Sequence, residues 1–133
     1  YGQELKRKYS GVGNIQLIDP VYDLDVLYVL RNNCCFYIHG HSAGGTNPSL
    51  VEAMFFNCPI LAYYVIYNRE TTENKAFYFR DAEQLIALLR NDNASLLEKS
   101  AKDLSEIANR RYLWEVVSRQ YLEQFDLVSV KAD

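Results

Sequence analysis

The sequence predicts an α/β fold, a parallel sheet with helices alongside. Three observations carry this. Cys34–Ile38 and Pro59–Tyr63 are unbroken apolar runs, the pattern of strands covered on both faces as in parallel sheets. Between them Leu50, Val51, Met54 and Phe55 recur at helical spacing. Strand-like and helix-like segments then keep alternating, which is the order that builds parallel sheets. Right-handed crossovers place the loops that follow the strands along one sheet edge, where open α/β sheets bind ligands.

Taken in order, residues 2–9 read as a short helix, broken by Gly11-Val12-Gly13. Asn14–Ile18 reads as a strand closed by Asp19-Pro20. A helix follows from about Asp23, with Leu24, Leu27 and Leu30 on one face and Asn32-Asn33 as its stop. After the first apolar run comes the polar loop His39–Asn47. Pro48 suits the first position of a helix and Asn47 its N-cap. That helix ends at Phe56-Asn57, and Pro59 opens the next strand, where proline is tolerated. Residues 64–75 are a mixed loop or short helix, and 76–79 a last short strand. Asp81 with Gln84 forms a capping-box-like start to a helix whose apolar face is Ala82, Leu85, Ile86 and Leu89. Asn91-Asp92-Asn93 reads as a turn and cap. A longer helix carries Leu97, Ala101, Leu104 and Ala108, and the last carries Trp114, Val117, Tyr121 and Phe125, with Trp114 in the core.

The whole chain of 133 residues has the length of one domain, residues 1–133. It is 49% hydrophobic and 23% charged, a globular balance. Its net charge of −3 disfavours a nucleic-acid partner, which calls for a basic excess. The Lys6-Arg7-Lys8 run is short and reads as a solvated helix face. No segment approaches the length of a transmembrane span, and no secretory signal pattern is visible. The three cysteines, Cys34, Cys35 and Cys58, are odd in number and sit in apolar surroundings. They fit buried free thiols of a reducing cytoplasm. The blunt start at Tyr1 reads as a piece of a larger protein.

The chemistry concentrates in residues 34–52, where a buried strand runs through a glycine-containing loop into a helix N-terminus. Gly44 and Gly45 let a ligand approach their backbone, and the first N–H groups of a helix lack intrahelical partners. Such a loop suits a phosphate or pyrophosphate. The competing reading is a tight turn that needs two glycines. Thr46 and Asn47 add side-chain hydrogen bonding, and the Glu52 carboxylate can accept from sugar hydroxyls or stand as an ordinary exposed helical glutamate.

These residues carry a resemblance. Gly44-Gly45-Thr46-Asn47-Pro48-Ser49-Leu50-Val51-Glu52-Ala53-Met54, followed by Cys58-Pro59-Ile60-Leu61-Ala62, resembles the donor-binding signature of group 1 glycosyltransferases, in the subgroup that includes bacterial rhamnosyltransferases of polysaccharide assembly. The flanks Asn14–Ile18 with Tyr22-Asp23-Leu24, Asn68-Arg69-Glu70 with Ala76–Phe79, and Tyr112-Leu113-Trp114 are similar to the neighbouring segments of that family. The similarity runs from about residue 14 to 125.

The resemblance implies a Rossmann-like sheet, the C-terminal half of a GT-B fold, within a larger two-domain enzyme. It implies retaining transfer of a sugar from a nucleotide diphosphate, the substrate, with no metal or other cofactor. The acceptor would be a saccharide or lipid-linked saccharide held by an N-terminal domain. The site would lie in the cytoplasm or at the cytoplasmic face of the inner membrane. Glu52 matches the second glutamate of the family's paired motif, which holds the donor ribose. Gly45, Thr46 and Asn47 would bring N–H groups to the donor sugar and diphosphate, and Asp19, Pro20, Val21 and Tyr22 would lie near the nucleobase. The first glutamate of the motif falls where this chain has Gly44, so His41 or Thr46 would replace its contact. With a deoxynucleotide donor, part of the Glu52 contact would be lost as well.

Other readings are a sugar-nucleotide epimerase of the same architecture and a non-catalytic nucleotide- or partner-binding domain. His39 and His41 supply two potential metal ligands, but zinc needs a third, and none is identifiable. Ser42 and Ser49 lack a nucleophile-elbow setting. Arg69 could meet an acidic ligand, or pair locally with Glu70 or Glu73.

Overall fold

The structure, a computed structural model, describes residues 1–90 and 93–129. Of the Asn91-Asp92-Asn93 turn, only Asn93 is among them. By its internal contacts the chain divides into two units, residues 1–30 and residues from 31 onward.

The first unit contains α1, Gly2–Tyr9, and most of α2, Leu24–Asn32. The Asp23 carboxylate accepts from the N–H groups of Asp25 at 2.9 Å and Val26 at 3.2 Å, which starts α2 where the sequence places it. The strand expected at Asn14–Ile18 does not form, and Ile15, Leu17 and Ile18 are exposed. A strand persists only where a neighbour completes its ladder, and the sheet consists of other segments.

In the second unit three parallel strands, β1 (Tyr37–His39), β2 (Ile60–Tyr63) and β3 (Phe77–Phe79), lie in the order β1-β2-β3. Ile38 stands opposite Leu61, and Ala62 opposite Tyr78. The connecting helices are α3 (Pro48–Met54) and α4 (Ile66–Thr71), and α5 (Ala82–Leu89), α6 (Ala94–Arg111) and α7 (Trp114–Ser129) follow. The fold is therefore α/β, a parallel sheet flanked by helices, as expected.

The core explains why the apolar runs behave differently. Ile60, Leu61 and Ala62 of the central strand are all buried, so β2 is covered on both faces. β1 is an edge strand, and its Ile38 is 46% exposed, against the expectation of cover on both faces. Leu50, Ala53 and Met54 of α3 meet Leu104, Ile107 and Ala108 of α6 in one cluster with Ile60 and Ala62, and Tyr37, Phe55, Tyr78 and Tyr112 pack against it. Asp81 caps α5 by accepting from the Gln84 N–H at 2.8 Å, and Asn93 caps α6 by accepting from the Leu96 N–H at 3.2 Å.

The final helix departs from its expected role. Trp114 is 80% exposed, and Tyr121 and Phe125 are exposed too, so the α7 stripe lies outside the core of this chain. Its helical period is real, but period says only that a face is apolar, not what covers it. Among the described residues no helix is long and apolar enough to cross a membrane.

Candidate functional site

The loop between β1 and α3 leaves the C-terminal end of an edge strand, and residues 40–46 are exposed. Gly44 has φ +94°, a conformation that favours glycine, while added Cβ atoms at Gly44 and Gly45 would meet nothing within 4 Å. Space over this backbone is therefore open to a ligand. Among the described residues, the N–H groups of Gly44, Gly45 and Thr46 have no protein acceptor.

The N-terminus of α3 is less open than the sequence suggests. Pro48 has no N–H; Asn47 Oδ1 accepts from the Ser49 N–H at 3.0 Å; the N–H groups of Leu50 and Val51 both donate to the Asn47 carbonyl at 3.1 Å. The cap that starts the helix thus consumes its end donors. Donors for an anion therefore lie in the exposed loop backbone, the N–H groups of Gly44, Gly45 and Thr46 among them.

Glu52 projects from α3, whose other residues Leu50, Ala53 and Met54 are buried and anchor it. Its carboxylate Oε2 lies 2.6 Å from Nη1 of Arg31, an ion pair in which Arg31 is 20% and Glu52 56% exposed. Arg31, on the last turn of α2, is not indicated by any local motif. It is separated from Glu52 in sequence by the whole β1 strand and its loop. Burial raises the Tyr37 phenol above its usual range, with the nearby Arg31 charge working against that rise and Glu52 adding to it.

His41 is exposed, and its ring stacks on that of His39 with centroids 5.9 Å apart. His39 is 5% exposed, and its Nε2 is buried without a hydrogen-bond partner among the described residues. Burial, and secondarily the neighbouring His41, lowers its pKa below the ordinary 6.5. A buried neutral imidazole follows from the cost of placing charge in a poorly solvated site. Among the described residues no three His, Cys, Asp or Glu side chains form a metal-binding group.

Asn68 belongs to the Asn68-Arg69-Glu70 flank, but nothing in the local pattern indicates its role as a clamp. It is buried, and its Nδ2 donates to the His41 carbonyl at 3.0 Å and to the Tyr63 carbonyl at 2.9 Å. One amide thus pins the loop after β1 to the end of β2. Arg69 meets neither Glu70 nor Glu73. Its Nε donates to Asn74 Oδ1 at 2.8 Å and its Nη1 to the Tyr64 hydroxyl at 3.0 Å. Glu73 instead pairs with Arg110 at 2.7 Å and Arg111 at 3.1 Å.

The remaining expected site residues belong to the first unit. Asp19 pairs with Lys6, and Tyr22 is exposed. Cys58 is buried, Cys34 half-buried and Cys35 exposed, so only one of the three thiols fits the fully buried reading. The Cys34 and Cys58 sulfurs are 3.3 Å apart.

No protein-family model and no curated protein matches the chain. Solved structures do. HepE of Anabaena, solved in complex with UDP-glucose, superposes with a TM-score of 0.76 at 20% identity, over 95% of this chain and 36% of that one. This chain therefore spans about a third of that protein's length. At this identity the likeness establishes the fold: a Rossmann-like α/β arrangement shared with part of a larger protein.

Proposed function

We propose that this chain forms the donor-binding part of a glycosyltransferase, taking a nucleotide-diphosphate sugar in the loop between β1 and α3. The observation that carries the reading is the pairing of two features on one short segment. The N–H groups of Gly44, Gly45 and Thr46 stand open to an anion, and Glu52, held by Arg31, stands open to hydroxyls. A fold likeness to a protein solved with UDP-glucose supports the same reading.

In the proposed reaction the bond from the donor's anomeric carbon to the diphosphate oxygen breaks, and an acceptor saccharide hydroxyl forms the new bond and loses its proton. Charge gathers on the leaving diphosphate, where fixed loop N–H groups stabilise it without reorganising. Asn68 holds the loop at the His41 carbonyl, and Glu52 accepts from the ribose. Retention of configuration, a hexosyl donor such as a rhamnosyl nucleotide, a role in polysaccharide assembly and an acceptor domain outside this chain complete the proposal.

Titration of the chain, and of the longest protein that carries it, with UDP and UDP-glucose tests it. Binding that Glu52→Ala weakens by about tenfold, roughly 1.4 kcal/mol, is the expected result. Product analysis with and without a saccharide acceptor separates a transferase from an epimerase. Absence of nucleotide binding by the unaltered protein rules the reading out.

A further inference from the structure

We infer that Cys34 and Cys58 form a reversible disulfide when hydrogen peroxide oxidises the protein, closing a covalent ring around β1, the loop after it and α3. The inference stands apart from the donor-site reading. The two thiols lie just before β1 and β2, at the end of the parallel strands opposite that loop.

The two sulfurs are 3.3 Å apart, although 24 positions separate them in sequence. The backbones around them are already joined. The Tyr37 N–H donates to the Pro59 carbonyl at 3.0 Å, and Tyr37 stands opposite Ile60 in the parallel register. The Cys58 thiol also donates to the Cys34 carbonyl at 3.4 Å, so its side chain lies against the Cys34 backbone. A disulfide needs its sulfurs at about 2.05 Å. The remaining gap, roughly 1.3 Å, is of the size that rotation of two side chains covers.

Exposure divides the work between the thiols. Cys34 is half-buried and within reach of a small oxidant, whereas Cys58 is buried. Burial, and then the hydrogen bond to Cys34, push the Cys58 thiol up to about 12, so Cys34 is the first of the pair to react. Its sulfur takes one peroxide oxygen as the O–O bond breaks, leaving a sulfenic acid and one water. The Cys58 sulfur then attacks the Cys34 sulfur and the S–O bond breaks. The departing hydroxyl leaves with the Cys58 proton as a second water. The two thiols lose two electrons, and the peroxide is reduced to two waters. Cys35 is exposed and competes for the oxidant.

The protein carrying Cys35→Ser isolates the pair. It is treated briefly with hydrogen peroxide at neutral pH, its remaining thiols are alkylated in urea, and its peptides are weighed. The Cys34 and Cys58 peptides should be joined, and dithiothreitol should separate them. The oxidised protein should melt about 5–10 °C above the reduced one, because the ring restricts the unfolded chain. Cys58→Ala in the same background should give neither the cross-link nor the rise. Cys34→Ser serves the same purpose if the alanine variant fails to fold by circular dichroism. Cys34 carried on to sulfinic acid while Cys58 stays free would overturn the inference. So would a cross-link that forms only in urea, or one that lowers the melting temperature. In the unaltered protein, joining of Cys35 instead of Cys34 to Cys58 would overturn it as well.

Discussion

The side chain of Asn68 holds the backbone of His41. Its Nδ2 donates to the His41 carbonyl at 3.0 Å and, from the same nitrogen, to the Tyr63 carbonyl at 2.9 Å. Two loops that leave neighbouring parallel strands are thereby locked to one buried amide, and the glycine loop starts from a fixed point.

Asn68→Ala should therefore cost about 2 kcal/mol, because two carbonyls lose their donor at a buried site. Asn68→Asp should be no better, since the donor is gone in both. Urea denaturation measures the loss. An unchanged denaturation midpoint would contradict the clamp.

The core lies between α3, α6 and the sheet, not on α7. Leu104 is fully buried in it, so Leu104→Ala should cost about 3 kcal/mol through lost burial and the cavity left behind. Trp114→Ala in the 133-residue chain should change stability by under about 0.5 kcal/mol, the behaviour of an exposed side chain. Thermal melts of the two variants should differ by many degrees. Similar losses would place Trp114 in the core after all.

His39 makes stability depend on pH in a defined direction. Its folded pKa lies below the ordinary 6.5 through burial. Between those two values the unfolded chain binds the proton and the folded one resists it, so stability falls as pH drops. The contribution is intact above about 6.5 and declines as pH falls through the lowered value. Urea midpoints from pH 8 to 5 should show this slope, and His39→Gln should flatten it. A slope identical in both proteins would assign it to other groups.

The thiols should react in order of exposure. Cys58 is buried, and its thiol is pushed up to about 12, first by burial and then by its hydrogen bond to Cys34. Thiolate is the reactive form, so Cys58 should resist alkylation at neutral pH while exposed Cys35 is modified first. Peptide mass spectrometry after brief iodoacetamide treatment reads the order directly. Early labelling of Cys58 in the folded protein would refute it.

The starts of α2, α3 and α5 are legible residue by residue, because Asp23, Asn47 and Asp81 each cap an N–H only a few positions away. Caps of this range depend on local spacing and little else. The three parallel strands are legible too, since apolar runs of that length have few other uses. The open backbone at Gly44 and Gly45 is legible too, whereas free donors at the start of α3 are expected and not found. The same Asn47 that predicts the helix takes up its N–H groups.

Composition, period and capping thus mark where the helices begin, three of the four expected strands, and where the glycine loop lies. Tertiary structure decides which of them share a core and which polar groups meet. Asn14–Ile18 has a strand's composition yet joins no sheet among the described residues, and the α7 stripe has a helix's period yet leaves Trp114, Tyr121 and Phe125 exposed. Arg31 reaches Glu52, and Asn68 reaches His41, only after β1, α3 and β2 have been placed. The physical reason is range. A cap or a turn is closed by neighbours in the chain, whereas an ion pair or a buried amide between distant segments exists only where packing brings its partners within 3 Å.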